Sequence, residues 1–303
     1  MNIIVTGSEG NIGSRLVPYL RLCGHRVQRV DIVQRYAPDY TLCDITRPGE
    51  LSRLAATGEP PDAIIHMAAM VSRVTCEASP EMCVDTNLTG TNNVIQIAKF
   101  HGAKLIYFST SEVYGNIGGT LFETRTDLAP NNRYGLTKLM GEMLVKYERK
   151  THGLDAVILR PFMFYDENET FGDNRSAMIR FAEALLTGER ITVHSGAWRS
   201  WMHMTDAVQV IEAALRLDCP PVLNIGHPEE WSMDRLARLM CELTGRAFDE
   251  VTDITPLPGR MTLGKSPGLS MQTALMGRNW KPISIESGVE KVIETVKKRL
   301  MDK

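Results

Sequence analysis

Thr6-Gly7-Ser8-Glu9-Gly10-Asn11-Ile12-Gly13 is the stretch on which the fold turns. The short apolar run Met1-Asn2-Ile3-Ile4-Val5 precedes it, and Ser14 to Leu22 follows with helical spacing. Strand, glycine turn and helix in that order form the opening unit of a dinucleotide-binding fold. Gly7 permits the tight turn, Gly10 lets the backbone approach a pyrophosphate, and Gly13 allows close helix–strand packing. Glu9, Asn11 and Ile12 complete the turn and count among the expected cofactor contacts. The first helical N–H groups then face the phosphates, where the macrodipole favours negative charge. A second strand, His25 to Val30, ends in Asp31. An acid there accepts both ribose hydroxyls and repels a 2′-phosphate, which favours NAD over NADP. Arg35 is the nearby cation that argues the other way.

Working outward, strands and helices alternate. Asp62 to Met67 reads as a strand running into Ala68-Ala69, Thr91 to His101 as a helix, and Lys104 to Phe108 and Ala156 to Leu159 as strands. Such alternation predicts right-handed βαβ units and a doubly wound, Rossmann-type α/β parallel sheet. Ligands on such sheets sit beyond the carboxyl ends of the strands. The glycine turn, Asp31, Ala68-Ala69 and Ser109-Thr110-Ser111 all fall there. The expected division is an NAD-binding domain over 1–165, with a return strand around 190–225. A smaller α/β substrate-binding domain over 166–303 grows from loops and insertions.

Composition agrees. A chain of 303 residues, 43% hydrophobic, can bury a large core. A formal charge of −2 without a basic stripe disfavours nucleic acid. The apolar start is too short for a signal segment, and no run reaches membrane-spanning length. The six cysteines (Cys23, Cys43, Cys76, Cys83, Cys219, Cys241) form no C-x-x-C pair, which fits reduced thiols in a cytoplasmic protein. His66, His101, His194 and His203 lack metal-ligand spacing, so no metal is expected.

The chemistry is expected in Asn132-Arg133-Tyr134-Gly135-Leu136-Thr137-Lys138, within a segment that reads as a helix from Arg133 to Tyr147. Tyr134 and Lys138 are four residues apart and share a helical face. A neighbouring cation stabilises a phenolate, so Lys138 is expected to lower the tyrosine's pKa from roughly 10. Such a tyrosine takes a proton from a hydroxyl while a hydride leaves the same carbon. A surface helix pair is the bland alternative for two such residues.

Further segments align these motifs. Thr6 to Gly13 resembles T-G-x-x-G-x-x-G, Asp44-Ile45 an adenine-edge pair, and His66-Met67-Ala68-Ala69 an H-x-A-A segment. Asn87 begins N-x-x-G-T, and Ser109 to Gly115 resembles S-[ST]-x-x-V-Y-G. Arg160-Pro161-Phe162 resembles R-P-x. Together these resemble the extended short-chain dehydrogenase/reductases, the NAD-dependent epimerase/dehydratase family acting on nucleotide sugars. The resemblance implies NAD as cofactor, with Asp44, Ile45, Ala68, Ala69, Asn87, Ser109, Tyr134, Lys138 and Pro161 among its contacts. It makes Thr110, Tyr134 and Lys138 catalytic, with Glu112 a further candidate. Oxidation of a sugar hydroxyl to a 4-ketone is the implied first step.

Gly188 to Asp206 resembles the family's substrate-binding stretch, with Arg199 suited to a diphosphate. An ion pair with an acid such as Asp206 is its structural alternative. Pro258-Gly259-Arg260 resembles a segment that supplies a second diphosphate arginine. Thr110 and Ser111 complete the substrate set. Met163 and Asp166 stand where the family usually has an asparagine and a glycine that grip the diphosphate, and Ser270 stands where an aspartate is common. The chain is shorter than many members, which implies a reduced substrate lid.

Epimerisation through the 4-keto sugar needs the fewest extra groups and leads. Ser111-Glu112 replaces the Asp-Glu pair of sugar 4,6-dehydratases, and Thr-Ser-Glu resembles uronate decarboxylases. A non-catalytic NAD-binding regulator is the remote alternative, since such relatives typically lack the tyrosine or lysine. By analogy with the family, a homodimer through Thr91–His101 and Leu136–Arg149 is expected.

Overall fold

The computed structural model describes residues 1–56, 59–172, 175–216, 220–257 and 264–302. The chain begins with β1 (Asn2–Thr6), α1 (Gly13–Leu22), β2 (Arg26–Asp31), β3 (Tyr40–Leu42), α2 (Pro48–Ala56) and β4 (Ala63–His66). Two short helices, α3 (Arg73–Ala78) and α4 (Pro80–Val84), lead through a wide helical turn at Asp85–Thr89 into α5 (Gly90–His101). Then come β5 (Lys104–Phe108), β6 (Thr120–Leu121), α6 (Arg133–His152), β7 (Ala156–Pro161) and β8 (Met163–Tyr165). The remainder supplies α7 (Ala177–Thr187), β9 (Ile191–His194), β10 (Trp198–His203), α8 (Met204–Arg216), β11 (Val222–Ile225), β12 (Glu230–Ser232) and α9 (Met233–Thr244). Last are α10 (Phe248–Val251), β13 (Thr252–Thr255), β14 (Gly264–Pro267), α11 (Ser270–Met276) and α12 (Ile285–Met301).

Seven strands form one parallel sheet in the order β11-β7-β5-β4-β1-β2-β3. β1 pairs with β2 on one side and β4 on the other, so the strand order reverses beside it. Both faces are covered, which explains the near-continuous apolar runs. Ile3, Val5, Ile65 and Ile106 point to one face and pack on Leu16 and Leu20 of α1 and Val208 and Ile211 of α8. Ile4, Ile64 and Leu105 point to the other and pack on Val94, Ile95 and Ala98 of α5 and Val145 of α6. This is the doubly wound Rossmann-type sheet that the alternation predicted.

A second region holds β12-β10-β14-β6, with β8 joined to β10, and a separate pair of β13 and β9. Trp201, Trp231, Tyr165 and Phe181 pack there with α7, α9 and α12. Ser232 caps α9 by accepting from the Arg235 N–H at 3.1 Å, and Ser284 caps α12 by accepting from Ser287 at 3.2 Å. β12 stands between β11 and α9. α6 runs past Tyr147 to His152 and stops at Gly153, whose φ of +68° only glycine adopts readily.

Candidate active site

At the end of β1, Gly7 has φ +72°, and a Cβ there would lie 2.7 Å from the Ala68 nitrogen. A Cβ on Gly13 would lie 2.4 Å from the Gly7 carbonyl oxygen. The turn therefore closes against both the post-β4 loop and its own helix. The buried Ser8 Oγ has no hydrogen-bond partner at this turn. The Glu9 N–H donates to an Asp31 carboxylate oxygen at 2.9 Å, joining the ends of β1 and β2. These features fit a dinucleotide: a turn tightened to glycine dimensions, an orphan hydroxyl, and a carboxylate at the second strand end.

Neighbouring residues hold that cradle in place. His66 lies between the Thr6 hydroxyl at 2.8 Å and the Thr91 hydroxyl at 3.0 Å. Burial and then the Lys138 charge push its pKa down to about 3, so the ring is neutral. The Thr6 hydroxyl also accepts from the Ala68 N–H at 3.3 Å. Asn87 accepts from the Met70 N–H at 2.7 Å and donates to Thr137 at 3.0 Å, tying the post-β4 loop to α6. Asp44 accepts from the Thr46 N–H at 2.9 Å, and Ile45 packs where Gly90 lacks a side chain. Residues assigned to the cofactor from β1, β2 and β4 thus come together at the strand ends. Pro161 ends β7 in the same sheet.

Ser109 follows β5, and its hydroxyl donates to Glu142 at 2.6 Å. Glu142 also takes two bonds from Arg160, at 2.8 and 2.6 Å, and one from Lys146 at 3.0 Å. Burial works to raise the Glu142 carboxyl, but Arg160 and Lys146 hold it below the usual range. This buried pair fixes α6 to β7. Thr110, in extended conformation, caps the Ser111–Tyr114 turn by accepting from the Glu112 N–H at 3.2 Å. Its side chain also lies near the Tyr134 phenol and acts to lower that group's pKa. Tyr134 opens α6, whose N-cap Asn132 accepts from the Gly135 N–H at 2.8 Å.

Electrostatics here differ from the expectation that Lys138 lowers the tyrosine. Burial raises the Tyr134 pKa well above its ordinary value, with Thr110 working in the opposite direction. Burial likewise pulls Lys138 down to about 7, with Glu142 working upward. The Lys138 ammonium sits 4.3 Å from the centre of the Tyr107 ring. Taken alone, the protein holds a neutral phenol beside a lysine poised near neutrality.

A cavity of about 230 Å³ opens next to Ser111 and Glu112 and extends toward Phe181 and Leu257. Arg73, Arg175, Arg180, Arg199 and Lys265 line it, against the carboxylate of Glu112. Lys265 donates to Glu112 at 2.7 Å, and Asn132 donates to it at 2.8 Å. Burial would raise the Glu112 pKa, but Lys265, Arg73 and Asn132 together bring it below the ordinary carboxylate value. Burial lowers both Arg199 and Lys265. Arg199 donates to the Trp198 carbonyl at 2.7 Å, while Asp206 accepts from the Ile283 N–H at 2.8 Å on another element. Asp206 is thus committed elsewhere, while the Glu112 carboxylate in the same lining is the acid whose charge acts on Arg199, upward against burial.

Asp166 does not face the cavity as an unpaired charge. It is 4% exposed and bonded to Arg15 of α1 at 3.1 Å, so its charge is paired. Met163 pairs with Trp201 across β8 and β10 and lines the cavity, and Ser270 begins α11. Arg260 lies outside the described residues, as does Cys219. Lys265, Arg73, Asn132 and Glu142 were not singled out as site residues from sequence. Asn132 just before a helix was a readable cap signal, whereas nothing local marks Lys265. Among the described residues, no three His, Cys, Asp or Glu side chains gather as a metal site, and no helix is long and apolar enough to cross a membrane.

A family model described as the NAD dependent epimerase/dehydratase family matches residues 3–226. UDP-glucuronic acid decarboxylase 6 of Arabidopsis thaliana is 29% identical over 320 residues, covering 99% of this chain and 90% of its own. A dTDP-glucose 4,6-dehydratase of Streptomyces niveus is 27% identical, covering 91% of each. The structure of a UDP-glucose 4-epimerase from Thermotoga maritima with UDP-glucose matches with a TM-score of 0.89 at 24% identity, over 99% of this chain and 100% of that one. This last likeness speaks to fold. With three-quarters of its length matched by the family model and the glycine turn built to dinucleotide dimensions, this chain belongs to the NAD-dependent epimerase/dehydratase family, within the extended short-chain dehydrogenase/reductases, with NAD as its cofactor.

Proposed function

We propose that the protein is a nucleotide-sugar 4-epimerase that works through a transient 4-keto sugar. The observation that carries this is the cation-lined cavity at Ser111 and Glu112, next to Thr110, whose side chain acts on the Tyr134 phenol. When bound, NAD supplies the hydride acceptor and, in its oxidised form, a positive ring that favours the phenolate. Gly7 to Gly13 and Asp31 would hold its phosphates and ribose. Tyr134 takes the proton from the sugar's C4 hydroxyl, and Thr110 donates a hydrogen bond to the reacting oxygen. Lys138, with its pKa pulled down to about 7, would reach the nicotinamide ribose and hold the cofactor.

Epimerisation then needs only a turned sugar ring and return of the same proton and hydride. Elimination of water needs a neutral acid, and the three partners of Glu112 favour its ionised form. The cationic lining suits the diphosphate of a nucleotide sugar, with Arg199 as a contact.

Decarboxylation of a 4-keto uronate is the second reading. It is favoured by Lys265 and Arg73 around Glu112, which would suit an additional sugar carboxylate. Incubation with UDP-glucose, UDP-glucuronate and their amino-sugar and dTDP counterparts, followed by product analysis, tests the proposal. An epimer of unchanged mass is expected, whereas release of carbon dioxide or water would overturn epimerisation in favour of the corresponding alternative.

We also propose a homodimer. Leu136, Met140, Met143 and Tyr147 are exposed at i, i+4, i+7 and i+11 along α6, with Phe100 of α5 also exposed. This apolar stripe suits a helical interface between two copies.

A further inference from the structure

We infer that Glu9 acts with Asp31 to select the nucleotide, by occupying Arg35, the cation that would otherwise pair with a 2′-phosphate. This refinement rests on the glycine turn being the cofactor site. The Glu9 backbone N–H is bonded to Asp31 at 2.9 Å, so the two acids are held together at the ends of adjacent strands. Asp31 also accepts from the Ile32 and Val33 N–H groups, at 2.8 and 3.2 Å, and these fix its carboxylate at the strand end.

The Glu9 carboxylate divides its oxygens between two guanidiniums. One meets Arg29 at 3.1 Å and the other meets Arg35 at 3.0 Å. Arg29 is further committed to Asp39, at 2.9 and 3.2 Å, and lies 5.4 Å from the Tyr40 ring centre. Arg35 is the more available of the two, with its side chain 57% exposed against 20% for Arg29. The Glu9 side chain is 14% exposed, so its charge is screened less than one projecting into water.

Arginine binds phosphate oxygens through a planar fork, and it is the natural counter-ion for a 2′-phosphate. Asp31 disfavours that phosphate by repulsion. A free guanidinium at Arg35 would offset the repulsion, and Glu9 removes that offset by satisfying it internally. Exclusion of NADP is therefore a property of three residues, two of which lie far from each other in sequence.

Dissociation constants for NAD⁺ and NADP⁺, measured by calorimetric titration, test this without turnover. The wild type is expected to prefer NAD⁺. Glu9→Gln should shift the NADP⁺/NAD⁺ affinity ratio toward NADP⁺ by about tenfold, corresponding to about 1.4 kcal/mol. Glu9→Gln combined with Arg35→Ala should lose that shift. A ratio unchanged by Glu9→Gln, or a shift that persists without Arg35, overturns the inference. Should Glu9→Gln fold poorly, Asp31→Asn serves instead. With Glu9 intact it should leave NAD⁺ preferred, and a ratio near unity would overturn the inference. Failure of the wild type to bind either nucleotide would strike the cofactor site itself and not the role of Glu9.

Discussion

Tyr134 and Lys138 show how a spacing read from sequence acquires its energetics only from depth. Four residues on a helix bring the pair to one face, and that much was local information. Burial then acts on both groups, raising the phenol and pulling the ammonium down to about 7. An unfolded lysine titrates near its ordinary value of 10.5, so the native state binds fewer protons between about 7 and that value. Stability contributed by this site therefore rises with pH across the window. Lys138→Met should stabilise the protein by about 1 kcal/mol at neutral pH. It should also flatten that rise and abolish turnover, as urea unfolding at several pH values with parallel assays would show. A less stable variant would contradict this account. Thr110, Tyr134 and Lys138 could be named as candidates because each sits in a contiguous motif. The Lys265–Glu112 contact spans 153 residues of sequence and leaves no local trace, so the clamp on Glu112 was not legible.

At the scale of elements, the strand ends of the main sheet were readable because parallel strands buried on both faces are apolar throughout. The β1 turn, Asp31 and the post-β4 loop were placed together on that basis, and the contacts among Gly7, Ala68, Glu9 and Asp31 bring them there. Less legible was the joint between α6 and β7, where Arg160 of the R-P-x segment forms a buried ion pair with Glu142, which reads as an ordinary helix position. His66 tests how tightly β4 is held. Its ring is buried and its pKa falls from 6.5 to about 3, so the unfolded chain takes up a proton in that interval while the native state does not. Stability should fall as pH drops from 6.5 toward 3, by up to one proton's slope from this residue. His66→Asn should remove that component from a series of urea midpoints. An unchanged acid slope would mean that other groups govern the decline.

Across the whole molecule, the second region was foreseen only as insertions. Its strands are short and its pairing is long-range: β10 gathers β8, β12 and β14 from distant parts of the chain. Arg15 and Asp166, 151 residues apart, tie the coenzyme helix to the loop beyond β8, which no sequence pattern announces. The exposed stripe on α6 leads to a prediction about assembly. The wild type should sediment at twice the chain mass of 33.8 kDa, and Tyr147→Glu should shift it toward monomer. A wild-type monomer would refute the dimer. The central claim is that Tyr134 transfers the proton while NAD takes a hydride from a sugar, and absorbance of the reduced nicotinamide follows that event directly. Nucleotide sugars mixed with the NAD-loaded protein should produce the reduced-cofactor signal in the wild type. Tyr134→Phe should bind NAD with similar affinity and give no signal, whereas near wild-type reduction in that variant would contradict the account.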